Sequence, residues 1–412
     1  MSLSRRNLLL GSFAAALGLG TRPAEGQAPD APAPVARSLI VLWMNGGASH
    51  IDTFDPKTGE TAGPFESIAT NNPALRISEH LPQLATLADR YTVVRSLTSK
   101  EGNHQRARYL GHTGYAPSPT LAHPSLGAWV SHERGGEGDL PRFVSVGGPS
   151  AGPGFLGAAH GPLLHRRVGE RPDHSEPGFG IDEARAARRR ESLALLERRF
   201  AAATRHPDVT ARGEVYARAE RLMKSPDLAA FDLDDEPEAV RRAYGDSDFG
   251  RGCLLARRLV EAEVPVVEVT LDGWDTHQDN FTRSRKLMAD LDPAMASLLR
   301  DLAERELLDT TLVLWIGDFG RSPRINGREG RDHHPKAQSA VLAGGGIRGG
   351  LVHGATDARG ETVVQDPLSV PDLFATVAWQ LGLDPSKTVD TPAGRPIAIT
   401  DGGSARAVLR AG

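Results

Sequence analysis

Five short stretches of this chain crowd histidine, aspartate and arginine together, most of them beside glycine, which lets the backbone turn sharply. Asp275 and His277 stand two apart in Asp272-Gly273-Trp274-Asp275-Thr276-His277. A carboxylate and an imidazole at that spacing can reach one cation, and the pairing suits zinc and related metals. Asp318 and Arg321 share Gly317-Asp318-Phe319-Gly320-Arg321-Ser322-Pro323, where the guanidinium could hold an anionic oxygen through two bonds. Gly330-Arg331-Asp332-His333-His334-Pro335 puts two histidines in one loop, with His333 the stronger ligand candidate. His50 and Asp52 follow Asn45-Gly46-Gly47 and offer a nitrogen and a carboxylate from a single loop. His104 and Arg108 are four apart and so share a helix face, a combination that suits an anionic substrate. Plainer roles compete at each place: turn capping by Asn45 and Asp52, a hydrogen bond between Asp275 and His277, a solvated face at His104 and Arg108.

Three of these stretches follow directly on apolar runs that read as buried strands: Arg37–Met44, Val264–Leu271 and Thr311–Ile316. Further strands are expected at Tyr91–Arg95, Arg142–Val146 and Ala340–Leu342. Helices are expected around Leu81–Asp89, over 103–112, 250–263 and 280–304, and over Val370–Leu381. Residues 181–245, rich in Ala, Arg, Glu and Leu, read as a helical insertion with solvated charged faces. Strands alternating with helices predict an α/β fold with a mostly parallel sheet covered on both faces. Chemistry in such sheets gathers beyond the strand C-termini, where the polar loops 45–55, 272–280 and 317–335 fall.

Composition narrows the function classes. With 412 residues, 39% of them hydrophobic and 24% charged, the chain can bury a full core and is neither disordered nor an integral membrane body. A net charge of −4 and only 5% aromatic residues speak against nucleic acid as a partner. Cys253 is the single cysteine, which excludes an intramolecular disulfide and a cysteine-rich metal site. Arg5-Arg6 ahead of the apolar run Leu8–Leu19 resembles a twin-arginine signal with cleavage after Ala28. The expected organisation is a signal peptide at 1–28, a Pro/Ala linker at 29–36 and one domain at 37–412. A periplasmic or otherwise exported protein with no membrane segment after cleavage is therefore expected.

Together, Asn45–Pro56, Tyr244–Glu263, Gly273–His277, Asp318–Pro323, Gly330–Pro335 and Gly344–Gly354 resemble the DUF1501 family of exported bacterial proteins. That family looks like a distant branch of the alkaline phosphatase and sulfatase superfamily, and Val370–Thr376 through Leu383 is similar to that superfamily's C-terminal helix. The resemblance implies a doubly wound α/β/α sandwich with metal ligands at the C-terminal edge of the sheet. It implies that Asp275, His277, Asp318 and His333 hold one or two divalent ions, with His50 and Asp52 completing the shell. Zinc is favoured, and manganese or calcium is possible. Arg108 or Arg321 would bind the anionic group, and His104 would act as base or nucleophile. The chain departs from the pattern in three places. Asn45 stands where the superfamily has Asp, Phe319 where it has His, and His104 where sulfatases have their cysteine. The expected function is an exported metal-dependent hydrolase of phosphate or sulfate esters, acting on an anionic small molecule or glycan. The alternative is a non-catalytic exported binding or assembly protein that keeps the fold.

Overall fold

The first buried strand, Ser38–Met44 (β1), is apolar on both of its faces. Leu39 and Trp43 enter one core, and Ile40, Leu42 and Met44 the other. A strand of that kind must sit inside a sheet covered on both sides. The computed structural model describes residues 35–134, 138–148, 150–173, 175, 181–204 and 207–410. The expected signal at 1–28 and most of the expected linker lie outside the described residues. The remaining strands of the main sheet, with the hairpin that interrupts them, are Tyr91–Thr98 (β2), Phe143–Val146 (β3), Leu163–His165 (β4), Val266–Leu271 (β5), Thr311–Gly317 (β6), the hairpin strands Gly320–Ile325 (β7) and Arg331–His334 (β8), Gln338–Ala343 (β9), Val352–His353 (β10) and Leu368–Ser369 (β11). The sheet order is β10-β2-β9-β6-β1-β5-β3-β4, with β11 beside β2. β1 lies parallel between β5 and β6. β9 runs antiparallel to both of its neighbours. It follows β6 through the β7/β8 hairpin, with no helix between them to carry a parallel crossover.

The main helices are His104–Thr113 (α1), Leu126–Glu133 (α2), Glu183–Thr204 (α3), Pro207–Lys224 (α4), Asp248–Glu261 (α5), Asn280–Glu304 (α6) and Val370–Gln380 (α7). Leu110 of α1, Trp129 of α2 and Phe374 of α7 pack with Leu39 and Trp43 on one face. Leu254 of α5 and Met295 of α6 pack with Ile40 and Leu42 on the other. The result is the doubly wound α/β/α sandwich. Cys253 on α5 is fully buried, and burial pushes its thiol far above the usual range, so it is inert.

Local chemistry shifts several elements from their expected bounds. The helix expected around Leu81–Asp89 is a single turn, Pro82–Ala85. The strand from Tyr91 continues to Thr98, because β11 and β9 give its far end partners. The stretch 317–335, expected as a loop, holds the β7/β8 hairpin, which pairs only with itself. Among the described residues no helix is long and apolar enough to cross a membrane.

Candidate metal centre

β1, β5 and β6 all deliver their loops to the same edge of the sheet. The β1 loop passes beneath the site through Gly46 (φ +104°) and Gly47 (φ +84°). A Cβ on either would fall on the backbone of Asp275 or Phe319, so only glycine allows this approach. Arg321 fastens the layers. It is fully buried and donates from Nε to the Gly47 carbonyl at 3.0 Å, from Nη1 to the Arg331 carbonyl at 3.2 Å, and from Nη2 to the Gly46 carbonyl and to Asp275 Oδ1, the latter at 2.6 Å.

Three imidazoles converge on that Asp275 oxygen. His104 Nε2 lies 3.3 Å from it, His277 Nε2 3.2 Å and His333 Nε2 3.3 Å. Each ring is fixed from behind. His104 Nδ1 donates to Asp318 Oδ2 at 2.6 Å, His277 Nδ1 to Asp332 Oδ1 at 2.7 Å and His333 Nδ1 to the Gly102 carbonyl at 2.8 Å. Carboxylates and carbonyls only accept, so every Nδ1 carries a proton, and in the neutral ring every Nε2 presents a lone pair inward. His277 Nε2 and His333 Nε2 are then 2.9 Å apart, lone pair to lone pair. His104 Nε2 is buried without a hydrogen-bond partner. A cation between these atoms relieves both conflicts. One ligand atom each from His104, Asp275 and His333 lie within 4.8 Å of one another, with His277 alongside. Nδ1 partners of this kind are the usual support of metal-bound histidines.

Electrostatics favour the ligating forms. Burial works against the Asp275 carboxylate, but the Arg321 hydrogen bond and charge outweigh it and bring its pKa down to about 2. Burial also lowers the His333 pKa, only partly offset by its bond to Gly102, which keeps the ring neutral. Phe319 is fully buried and packs against the His333 and His104 rings at 4.5 and 4.9 Å between centroids.

Sequence comparison adds the family. The model of DUF1501, a protein of unknown function, matches residues 36–411. The chain belongs to the DUF1501 family. No curated protein matches this DUF1501 sequence. Among solved structures its fold is similar to three others. The lipoteichoic acid synthase LtaP from Listeria monocytogenes shares 9% identity over 91% of this chain and 76% of the other, with a TM-score of 0.43. A protein of the alkaline phosphatase superfamily from Vibrio parahaemolyticus shares 13% over 89% and 72%, with a TM-score of 0.40. The phosphonate monoester hydrolase SpPMH from Silicibacter pomeroyi shares 13% over 91% and 76%, with a TM-score of 0.39.

In this DUF1501 chain Asp275, His277 and His333, expected as ligands, lie together in the cluster. Four other expectations change. His104, expected as base or nucleophile, turns Nε2 into the cluster, where it could also hold an ion with Asp275 and His333. Asp318, expected as a ligand, stands behind His104; its Oδ2 is taken by His104 and by Arg108 Nε at 3.3 Å. Arg321, expected to bind substrate, is sealed from solvent, and three carbonyls and Asp275 take up its donors. Asp52, expected in the metal shell, is buried beneath it, receiving Arg331 Nε at 2.8 Å, Arg331 Nη2 at 3.0 Å and Asn280 Nδ2 at 2.9 Å. Arg108 keeps its expected place, 39% exposed, and its terminal nitrogens make no hydrogen bond among the described residues. Asp332 and Arg331 were not anticipated. Both come just before His333 in β8, whose pairing register shifts between Arg331 and His333, so no regular period marked them in the sequence.

His50 also falls outside the metal shell. It is 1% exposed, and Nε2 donates to the Gly360 carbonyl at 2.9 Å. Burial drives its pKa from 6.5 to about 4. The unfolded chain therefore takes up this proton first as pH falls. The contribution of His50 to stability is complete above about pH 6.5 and is lost toward pH 4, about 3 kcal/mol in all. Urea unfolding at pH 7 and pH 5 checks this: wild type should lose stability between them, and His50→Gln should lose less. Equal losses in the two proteins would contradict the assignment.

Proposed function

We propose that this protein is an exported, metal-dependent hydrolase of phosphate or sulfate esters. The observation that carries the reading is the convergence of three protonation-locked imidazoles on one carboxylate oxygen at the C-terminal edge of the sheet. His104, Asp275, His277 and His333 would hold a divalent ion. Three nitrogens and one oxygen suit zinc better than calcium, which prefers all-oxygen shells. Such an ion, when bound, supplies Lewis acidity to an ester oxygen.

The residues of the chain do the rest. Asp318 and Asp332 hold the His104 and His277 rings in the tautomer that turns Nε2 inward. Arg321 balances the Asp275 charge and keeps the carboxylate oriented. Arg108, beside His104 on α1, offers its free terminal nitrogens to the anionic part of the substrate. Among the described residues no hydroxyl or thiol side chain hydrogen-bonds to the cluster, and in this reading the attacking group is water. Export is supported by the paired arginines ahead of the apolar run at Leu8–Leu19.

The lack of a side-chain nucleophile also favours a second reading, a metal-holding binding protein without turnover. One experiment separates them. Metal content is measured by mass spectrometry on protein purified without chelator, beside a His104→Ala/His333→Ala variant. Both proteins are then assayed on aryl phosphate and aryl sulfate esters. The hydrolase reading expects bound metal and turnover, both lost in the variant. Metal without turnover on any ester selects the binding reading. No metal in either protein overturns both.

A further inference from the structure

The α3/α4 hairpin contributes nothing to the metal centre, and its surface is unlike the rest of the molecule. Nine large apolar side chains are exposed among the described residues, and five of them lie here: Leu195, Leu196, Phe200, Val215 and Tyr216. Leu196 is 62% exposed and Phe200 58%, four residues apart on one side of α3. Such a concentration marks an interaction surface, because isolated apolar exposure is scattered rather than clustered.

The same side of α3 carries Arg185, Arg188 and Arg199, all exposed, while Arg189 borders the cleft between α3 and α4 and Arg198 lies on the opposite side. None forms an ion pair among the described residues. Arg190, which turns inward, does so with Glu183 and Glu220. The chain as a whole is acidic, at −4, so this excess of positive charge is a local feature. From Arg185 to Arg199 it extends roughly 21 Å along the helix.

We propose that the outer face of α3 docks on an anionic lipid surface. The arrangement of the side chains selects this occupant over an acidic protein. Arginines and apolar groups interleave along the helix instead of separating into a pocket and a rim. A headgroup layer accommodates that interleaving: guanidinium groups stay at the level of the phosphates while Leu and Phe sink below them. Attraction then adds up over the arginines and weakens with salt.

Flotation of the full chain with vesicles tests the proposal. One set is phosphatidylcholine alone, and the other is phosphatidylcholine mixed with phosphatidylglycerol. The wild-type chain should float with the anionic set in excess of the neutral set, and salt should reduce that excess. Arg185→Gln/Arg188→Gln/Arg199→Gln should lower anionic partitioning about a hundredfold. Leu196→Ser/Phe200→Ser should lower it on both sets. The five positions are exposed, so both variants should keep the wild-type melting temperature, which circular dichroism checks. Three results would overturn the proposal: no excess on anionic vesicles, an excess that the arginine variant retains, or binding to polyglutamate without binding to vesicles. The last would identify an acidic protein as the partner.

Discussion

Arg331→Ala is expected to destabilise the fold by about 3–5 kcal/mol, because it leaves the Asp52 carboxylate buried without its countercharge. Both side chains are fully buried. The guanidinium reaches both Asp52 oxygens and also donates to the carbonyls of Ser322 and Pro323 in β7 and of Thr61, at 3.1, 2.5 and 2.8 Å. Truncation leaves those acceptors empty, with only Asn280 still donating to Asp52. Arg331→Lys should recover little, since a single ammonium cannot span a fork and three carbonyls. Urea unfolding measures the loss, and a change under about 1 kcal/mol would show the pair to be dispensable. The same variant should weaken metal retention, because Arg331 anchors the strand that carries His333.

Removal of metal should be the second large effect. A site saturated at about a thousand times its dissociation constant stabilises the folded state by about 4 kcal/mol. For a chain of this size that corresponds to roughly 5 °C in melting temperature. Excess chelator should lower the wild-type melting temperature by this amount, and zinc should restore it. His104→Ala/His333→Ala should melt at the same temperature with and without chelator. A wild-type protein indifferent to chelator would remove the tight metal site, whatever its activity.

Much of this architecture was legible before any coordinates. β1, β5 and β6 announce themselves as apolar runs broken by glycine and polar residues, and parallel sheets place such loops together. That logic brought 45–55, 272–280 and 317–335 to one edge. It also put His104 and Arg108 on one helical face, and both reach Asp318. The roles within the site were harder to read. Arginine is normally exposed, so Arg321 looked like a substrate contact, although burial beside Asp275 and three carbonyls makes it structural. β7 escaped notice because Gly-Arg-Ser-Pro-Arg lacks apolar alternation and contains proline. Which nitrogen a histidine turns into the site depends on what stands behind its other nitrogen. For His104 that group is Asp318, 214 residues away, and no local pattern reveals it.

The same long separations govern when the site comes into being. His333 and Asp275 are 58 residues apart, and α1 brings His104 from the far side of the sheet order. Contacts this distant in sequence form late, after the intervening strands have paired. The nascent chain therefore offers passing ions single imidazoles and carboxylates, and the chelating set exists only when folding is nearly complete. Intrinsic affinity would then favour copper over zinc at such nitrogens. On the proposed function, the ion such a site takes up is accordingly decided by the free-metal pool of the compartment where its last strands close.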